Sequence, residues 1–250
     1  MTPPPERERP VPSARARRWA TIAASLGVLV MLALGSWQVQ RLIWKNNEQA
    51  YRDARVSAEP IELPLHVEAP ADLHYRRVWV EGVFDHDKEM FLAARSHERQ
   101  VGYQVITPFE RTGGDTILIN RGWVPLDRKA PESRAAGQVR GTVRVEGLLV
   151  PGGRPSWFAP DNHPEQRLWY WVDLETMSAA AGIPAQAFII DAGPAENPGG
   201  YPIGGQTVVT LRNEHLSYVI IWYALAVGLA VIYLLYMRRG RRRAPRATPP

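Results

Sequence analysis

Leu216 to Met237 reads LSYVIIWYALAVGLAVIYLLYM, 22 residues without a charged side chain. At ~1.5 Å per residue such a run spans roughly 33 Å as a helix, enough to cross a hydrocarbon core. The run is entered through polar Arg212-Asn213-Glu214-His215 and left through Arg238, Arg239, Arg241, Arg242 and Arg243. Tyr218, Trp222 and Tyr223 lie near one end, and Tyr233 and Tyr236 near the other, the distribution of an aromatic belt. A buried helix of a soluble protein has no need of so long an uncharged stretch. The rest of the chain is therefore read as attached to a membrane.

A second apolar run stands near the other end. Trp19 to Val39, WATIAASLGVLVMLALGSWQV, has 21 residues and no charge. A basic segment before an apolar run also fits a signal peptide. This run is long for one, however, and the residues after it continue as helix instead of offering a cleavage site. It is read as a first transmembrane helix. Residues 1–18, rich in Pro and Arg, are expected to be a disordered tail.

Charge gives the topology. The net charge of +5 divides into +3 for residues 1–18, −4 for the middle, and +6 for residues 238–250. The basicity belongs to the tails, so nucleic acid is a poor partner and membrane orientation the better reading. With two spans, both Arg-rich tails lie on one side, taken as the cytoplasm. Residues 40–215 then form a domain on the other side, the periplasm of a bacterium or the intermembrane space of a mitochondrion. A mean hydropathy of −0.25 fits a chain that is mostly soluble. With no cysteine, the domain holds no disulfide and no thiolate metal site.

The first helix is expected to continue past the membrane, because Trp37, Arg41, Trp44, Lys45, Glu48 and Arg52 recur at helical spacing. Pro60 and Pro64 end it, and an extended linker follows. From Arg77 the period becomes two. Segments 77–84, 88–95, 101–110, 115–124, 139–150, 167–174, 186–193 and 207–211 read as strands, with a short helix before Gly182. The expected fold is two transmembrane helices, 19–39 and 216–237, flanking a mainly antiparallel β domain, a curled or barrel-like sheet with few helices.

Catalytic signatures are missing: there is no G-x-S-x-G, H-E-x-x-H, G-x-G-x-x-G or Walker loop. His66, His74, His86, His97 and His163 are scattered through turns and loops and are read as solvated. Asp85-His86-Asp87 is read as a polar turn as readily as a metal site. The chain is therefore not read as an enzyme.

Several motifs agree in order and spacing with one family. They are Leu34-Gly35-Ser36-Trp37-Gln38 with Arg41 and Trp44-Lys45, then Tyr75-Arg76-Arg77-Val78 with Gly82 and Phe84, then Gly102-Tyr103 with Thr107-Pro108. Asn120-Arg121-Gly122-Trp123-Val124-Pro125 follows, and Asn213-x-His215-Leu216-x-Tyr218 with Trp222 opens the second span. Over about residues 19–238 the chain resembles the Surfeit-locus family of cytochrome c oxidase assembly factors. The resemblance implies a membrane protein that helps build haem-copper oxidase, handling haem a for subunit I, with that subunit and the haem a synthesis machinery as partners. In a bacterium its place is the inner membrane. A membrane-tethered periplasmic enzyme and a structural subunit of a membrane complex stand as alternatives.

Two sites follow. Alternation in DTILINRGWV puts Ile117, Ile119, Arg121 and Trp123 on one face, and Leu118, Asn120, Gly122 and Val124 on the other. Arg121 then needs a carboxylate, with Asp85, Glu81, Glu146 and Asp173 as candidates, or it forms with Trp123 a surface for a partner. Gly122 marks close packing or a bulge. At the second site, His215 stands where headgroups meet hydrocarbon. Imidazole is a common axial ligand of haem iron. Arg212 and Arg41 would neutralise propionates, and Trp37, Tyr218 and Trp222 would supply an apolar wall. The bland reading is an interfacial histidine that caps its helix.

Overall fold

The computed structural model describes residues 13–210 and 213–242. The chain forms two compact units, Met1–Gln49 with Leu211–Pro250, and Ala50–Thr210. Two helices, α1 (Ala14–Val56) and α3 (His215–Arg242), are long and apolar enough to cross a membrane. They flank a mainly sheet domain. Helix α1 starts inside the segment expected to be disordered and runs without a break past the first apolar run, as its charge spacing indicated. The remainder of both tails, residues 1–12 and 243–250, lies outside the described residues.

In the helical unit small and polar residues let the helices meet, the usual device where both are surrounded by lipid. A Cβ on Gly35 would stand 3.1 Å from the Tyr223 ring, and one on Gly27 would stand 2.8 Å from Leu229. Thr21 Oγ1 lies 2.8 Å from Tyr233 Oη, and Ser36 Oγ 3.2 Å from Tyr223 Oη.

The domain is one eight-stranded sheet: β1 (Ile61–Glu62), β2 (Arg77–Phe84), β3 (Met90–His97), β4 (Gln100–Arg111), β5 (Thr116–Pro125), β6 (Val143–Val150), β7 (Leu168–Trp169) and β8 (Ile189–Ala192). Their order is β1-β2-β6-β8-β5-β4-β3-β7, and β2 also pairs with β4. The long pairings are antiparallel, while β1–β2, β3–β7 and β5–β8 are short parallel ones. Period two divides the interior. Ile117, Ile119 and Ile190 join Val78, Val80 and Phe109 in one core, while Leu118 and Ile189 join Met90, Ile106 and Trp169 in another. The second core also takes Met177 and Ala181 of α2 (Leu174–Ala181). That helix is capped by Asp173 and stopped by Gly182 in the left-handed region, as its sequence signals.

Three expectations need correction. Segment 167–174 forms a strand only over Leu168–Trp169, because Asp173 turns the chain into α2. Segment 186–193 pairs only over Ile189–Ala192. No strand forms over 207–210, and residue 211 lies outside the described residues. There Ile203 makes a single bridge to Trp123, Gly205 takes a φ of +69°, and Thr207 turns its hydroxyl to Asp191 at 2.6 Å.

A fourth correction concerns β5. Opposite Val105 and Ile106 the register slips, so that Asn120 and Gly122 find partners and Arg121 is the extra residue of a bulge. Trp123 pairs with Gln104, which shares a face with Asn120, so it leaves the face of Ile119 and Arg121. Gly122 carries φ +123°, and a Cβ there would stand 2.0 Å from the Ile203 carbonyl oxygen. Both readings of this glycine, bulge and close packing, hold. Gly122→Ala is expected to cost at least about 1–3 kcal/mol from the backbone conformation alone. The readout is the denaturation midpoint of the full chain in detergent, and an unchanged midpoint would contradict this account.

Candidate functional site

The two predicted sites fall in different units. In the domain, Arg121 is 1% exposed and Trp123 3% exposed, so neither offers a surface to a partner. The carboxylate that meets Arg121 is none of the four expected. It is Glu89, 3% exposed, just before β3. Arg121 Nη1 lies 3.4 Å from Glu89 Oε1, Nη2 donates to the Gly137 carbonyl, and the guanidinium carbon stands 4.6 Å over the Phe84 ring. A second buried arginine, Arg134, donates to both Glu89 oxygens, and Gln138 Nε2 donates to Oε1 at 3.1 Å. His86 is not solvated as expected. Its Nε2 donates to the Val139 carbonyl at 2.9 Å, and its Nδ1 lies 3.5 Å from Glu89.

Burial pushes the Glu89 carboxyl up, but His86 and Arg134 more than offset this and hold it at about 2. Burial also pulls Arg121 down to about 10, with Glu89 opposing. The cluster borders an open groove of about 790 Å³ lined by Phe84, His86, Glu89, Phe91, Gln138 and Arg167, among others. A carboxylate held ionised by two guanidiniums is a poor general acid or base near neutrality. Glu89 is therefore not assigned an acid–base role. No group of three His, Cys, Asp or Glu side chains suited to a metal occurs among the described residues.

The other site lies within the helical unit. His215 is the first residue of α3, and its Nδ1 lies 2.6 Å from Oε1 of Gln38 on α1. An amide oxygen only accepts, so Nδ1 carries a proton, and in the neutral ring the lone pair is then on Nε2. Among the described residues Nε2 has no hydrogen-bond partner. Gln38 is 9% exposed, one of two buried residues of α1. Asn213 supports the same end, accepting from the His215 amide at 3.3 Å and donating to Asn46 Oδ1 at 2.8 Å. A histidine fixed through Nδ1 by a carbonyl, with Nε2 open, has the arrangement of a metal-binding imidazole.

The other predicted haem contacts are less converged. Arg41 is exposed and lies 5.7 Å from the Trp37 ring and 5.6 Å from the Trp44 ring, all on α1. Trp37 and Tyr218 are each 48% exposed. Trp222 is half-buried. Arg212 lies outside the described residues. His215 and Gln38 thus form an imidazole–amide pair of a kind compatible with a metal ligand, and among the described residues no carboxylate pairs with Arg41.

Two residues of these sites had no role in the sequence reading. Gln38 stood inside a quoted motif, and a polar side chain near the end of an apolar run is itself a signal. Glu89 had no such mark, since its partners lie 32 and 45 residues away in sequence.

Comparison with known proteins agrees with the motifs. The profile of the SURF1 family matches residues 26–227. A SURF1-like protein of Monosiga brevicollis is 44% identical over 245 residues, covering 93% of this chain and 92% of that protein. Surfeit locus protein 1 of Homo sapiens is 41% identical over 223 residues, covering 83% of this chain and 74% of that protein. The protein of that name from Mus musculus is 42% identical over 224 residues, covering 84% and 72% respectively.

Proposed function

The chain belongs to the SURF1 family, and on that premise we propose that it is a membrane-bound assembly factor for haem-copper cytochrome c oxidase, holding haem a for insertion into subunit I. The observation that carries the haem part of this reading is the His215–Gln38 pair at 2.6 Å. Haem a, if bound, would supply an iron, and His215 would be the nitrogen side chain that holds it. The chain's part is to present Nε2 of His215 in one tautomer, to fix the ring through Gln38, and to expose apolar Trp37 and Tyr218 beside it. Arg41, and Arg212 three residues before His215 in sequence, are the cations proposed to meet propionates near the headgroups. Subunit I and the haem a synthesis machinery are the proposed partners.

The barrel-like reading of the domain belongs here too. It is supported by β2 pairing with both β6 and β4, so that β2, β6, β8, β5 and β4 each have two neighbours in a closed sequence of pairings.

The test is to purify the full chain from cells that make haem a and record its pyridine haemochrome spectrum. Bound haem a is the expected result, and haem-free protein from such cells would remove the haem part. Deleting the gene and finding the haem a band of the membranes undiminished would remove the assembly part.

Orientation follows from the Arg excess beyond both spans. Both termini are proposed to be cytoplasmic and residues 40–215 periplasmic, in a bacterial inner membrane. A reporter active only in the periplasm is expected to be silent after Pro250 and active when inserted near Gly153. The opposite pattern would overturn the localisation.

A further inference from the structure

We propose that the turn carrying Trp157 and Phe158 is a membrane-docking element of the domain, inserting its two aromatic rings into the lipid headgroup layer. Trp157 is 95% exposed and Phe158 72% exposed. Their rings meet edge to face with centroids 5.4 Å apart. The segment that bears them is built, not loose. At its base the Gly153 amide donates to the Val172 carbonyl at 2.8 Å, and at its tip the Ala159 amide donates to the Ser156 carbonyl at 2.9 Å. Trp157 and Phe158 are therefore the two central residues of a four-residue turn, the positions that point farthest from the domain. Such positions ordinarily take Gly, Pro, Asn or Asp, which cost nothing in water. Two large aromatic rings there leave apolar area exposed with nothing in the domain to cover it.

The occupant is argued from the chain itself. The domain's two ends pass directly into apolar spans: α1 continues unbroken from the first span into the domain, and four residues, 211–214, separate Thr210 from α3. The domain is thus covalently tethered at both ends to segments that would cross a bilayer. Residues 151–160, PGGRPSWFAP, contain no acid and one base, the exposed Arg154. Indole with a nearby guanidinium is the chemistry of the headgroup layer, where the ring buries its apolar edge and the cation meets phosphate. A protein partner would be recognised by a patch with a rim of hydrogen-bonding groups, whereas this is an isolated prong.

The absence of cysteine allows a direct test. A nitroxide on Ser156→Cys, next to the intact Trp157, is compared with one on Thr112→Cys, an exposed turn of the same domain. The full chain is placed in bilayers of phosphatidylethanolamine with phosphatidylglycerol, and in phosphatidylcholine alone. The expected result is high oxygen and low nickel-chelate accessibility at position 156, with the label at position 112 open to the chelate. The shielding should be stronger in the anionic bilayer if Arg154 contributes, and it should vanish in the Trp157→Ser, Phe158→Ser background. A label at 156 as open to the chelate as that at 112 in both bilayers overturns the proposal. So does shielding that appears only when other membrane proteins are added, which would assign the turn to a protein partner.

Discussion

Glu89→Leu is expected to destabilise the domain by about 3–5 kcal/mol, because it leaves two buried guanidiniums without a counter-charge. Arg121 and Arg134 are 1% and 5% exposed, so water cannot replace the carboxylate. The readout is the denaturation midpoint of the full chain in detergent, followed through domain tryptophan fluorescence. Arg121→Leu should be milder, since Glu89 keeps Arg134, His86 and Gln138. Arg134→Leu should lie nearer to the Glu89 change, because it removes both bonds that Arg134 makes to the carboxylate. Equal effects from all three would mean that the cluster acts as one unit. A negligible effect of Glu89→Leu would refute the ionic account.

The same carboxylate gives a pH signature. Its pKa falls from 4.5 to about 2 on folding. The unfolded chain therefore binds this proton more readily than the folded one. The stability it contributes is complete above pH ~4.5 and is lost as pH falls through ~2, an effect on the order of 3 kcal/mol at ~1.4 kcal/mol per unit. Glu89→Gln should flatten the acid limb of the stability curve between those limits. An acid limb of unchanged steepness would point to other carboxylates. Asp191 works the opposite way: burial raises its pKa, against hydrogen bonds from Thr207 and Asn120, so its titration does not add to the loss in acid.

What the sequence disclosed follows from where physics is local. A span must be uncharged along its whole length, so both apolar runs could be read without a partner. The short helix announced itself by Gly182, which ends it, while the structure shows Asp173 capping its start. The glycine at 122 could be recognised as special, but the bulge it permits also flips Trp123, and alternation cannot see a slip that depends on β4. The partner of Arg121 was illegible for a related reason. Sheet order brings Glu89 and Arg121 together once β3, β4 and β5 are in register, and Arg134 joins them from the 3-10 segment Pro131–Gly137 after β5, which no strand pattern records. At the membrane site, motif and position pointed to His215. They did not reveal that α1 supplies Gln38 at the same level, because nothing in one helix records the rotation of the other.

His215→Ala is expected to abolish haem binding by the purified chain, or to shift its spectrum, while leaving membrane insertion intact. Insertion depends on the apolar run that begins at Leu216, and the histidine precedes it. Gln38→Ala removes only the group that fixes the ring. It should keep some haem but weaken its retention by about 10–100-fold, the usual range for a partner of a metal-bound histidine. It should also change the spectrum, since the donor strength of Nε2 depends on what Nδ1 bonds. Gln38→Glu retains an acceptor and should restore retention where Gln38→Ala does not. Arg41→Ala, and Arg212→Ala, should matter least, because propionates near headgroups can turn to water. This ranking separates a ligand, an orienting group and a charged rim by amplitude and spectrum. If His215→Ala purifies with the haem content and spectrum of the unchanged chain, His215 is an interfacial cap held by Gln38, and the haem must be sought elsewhere.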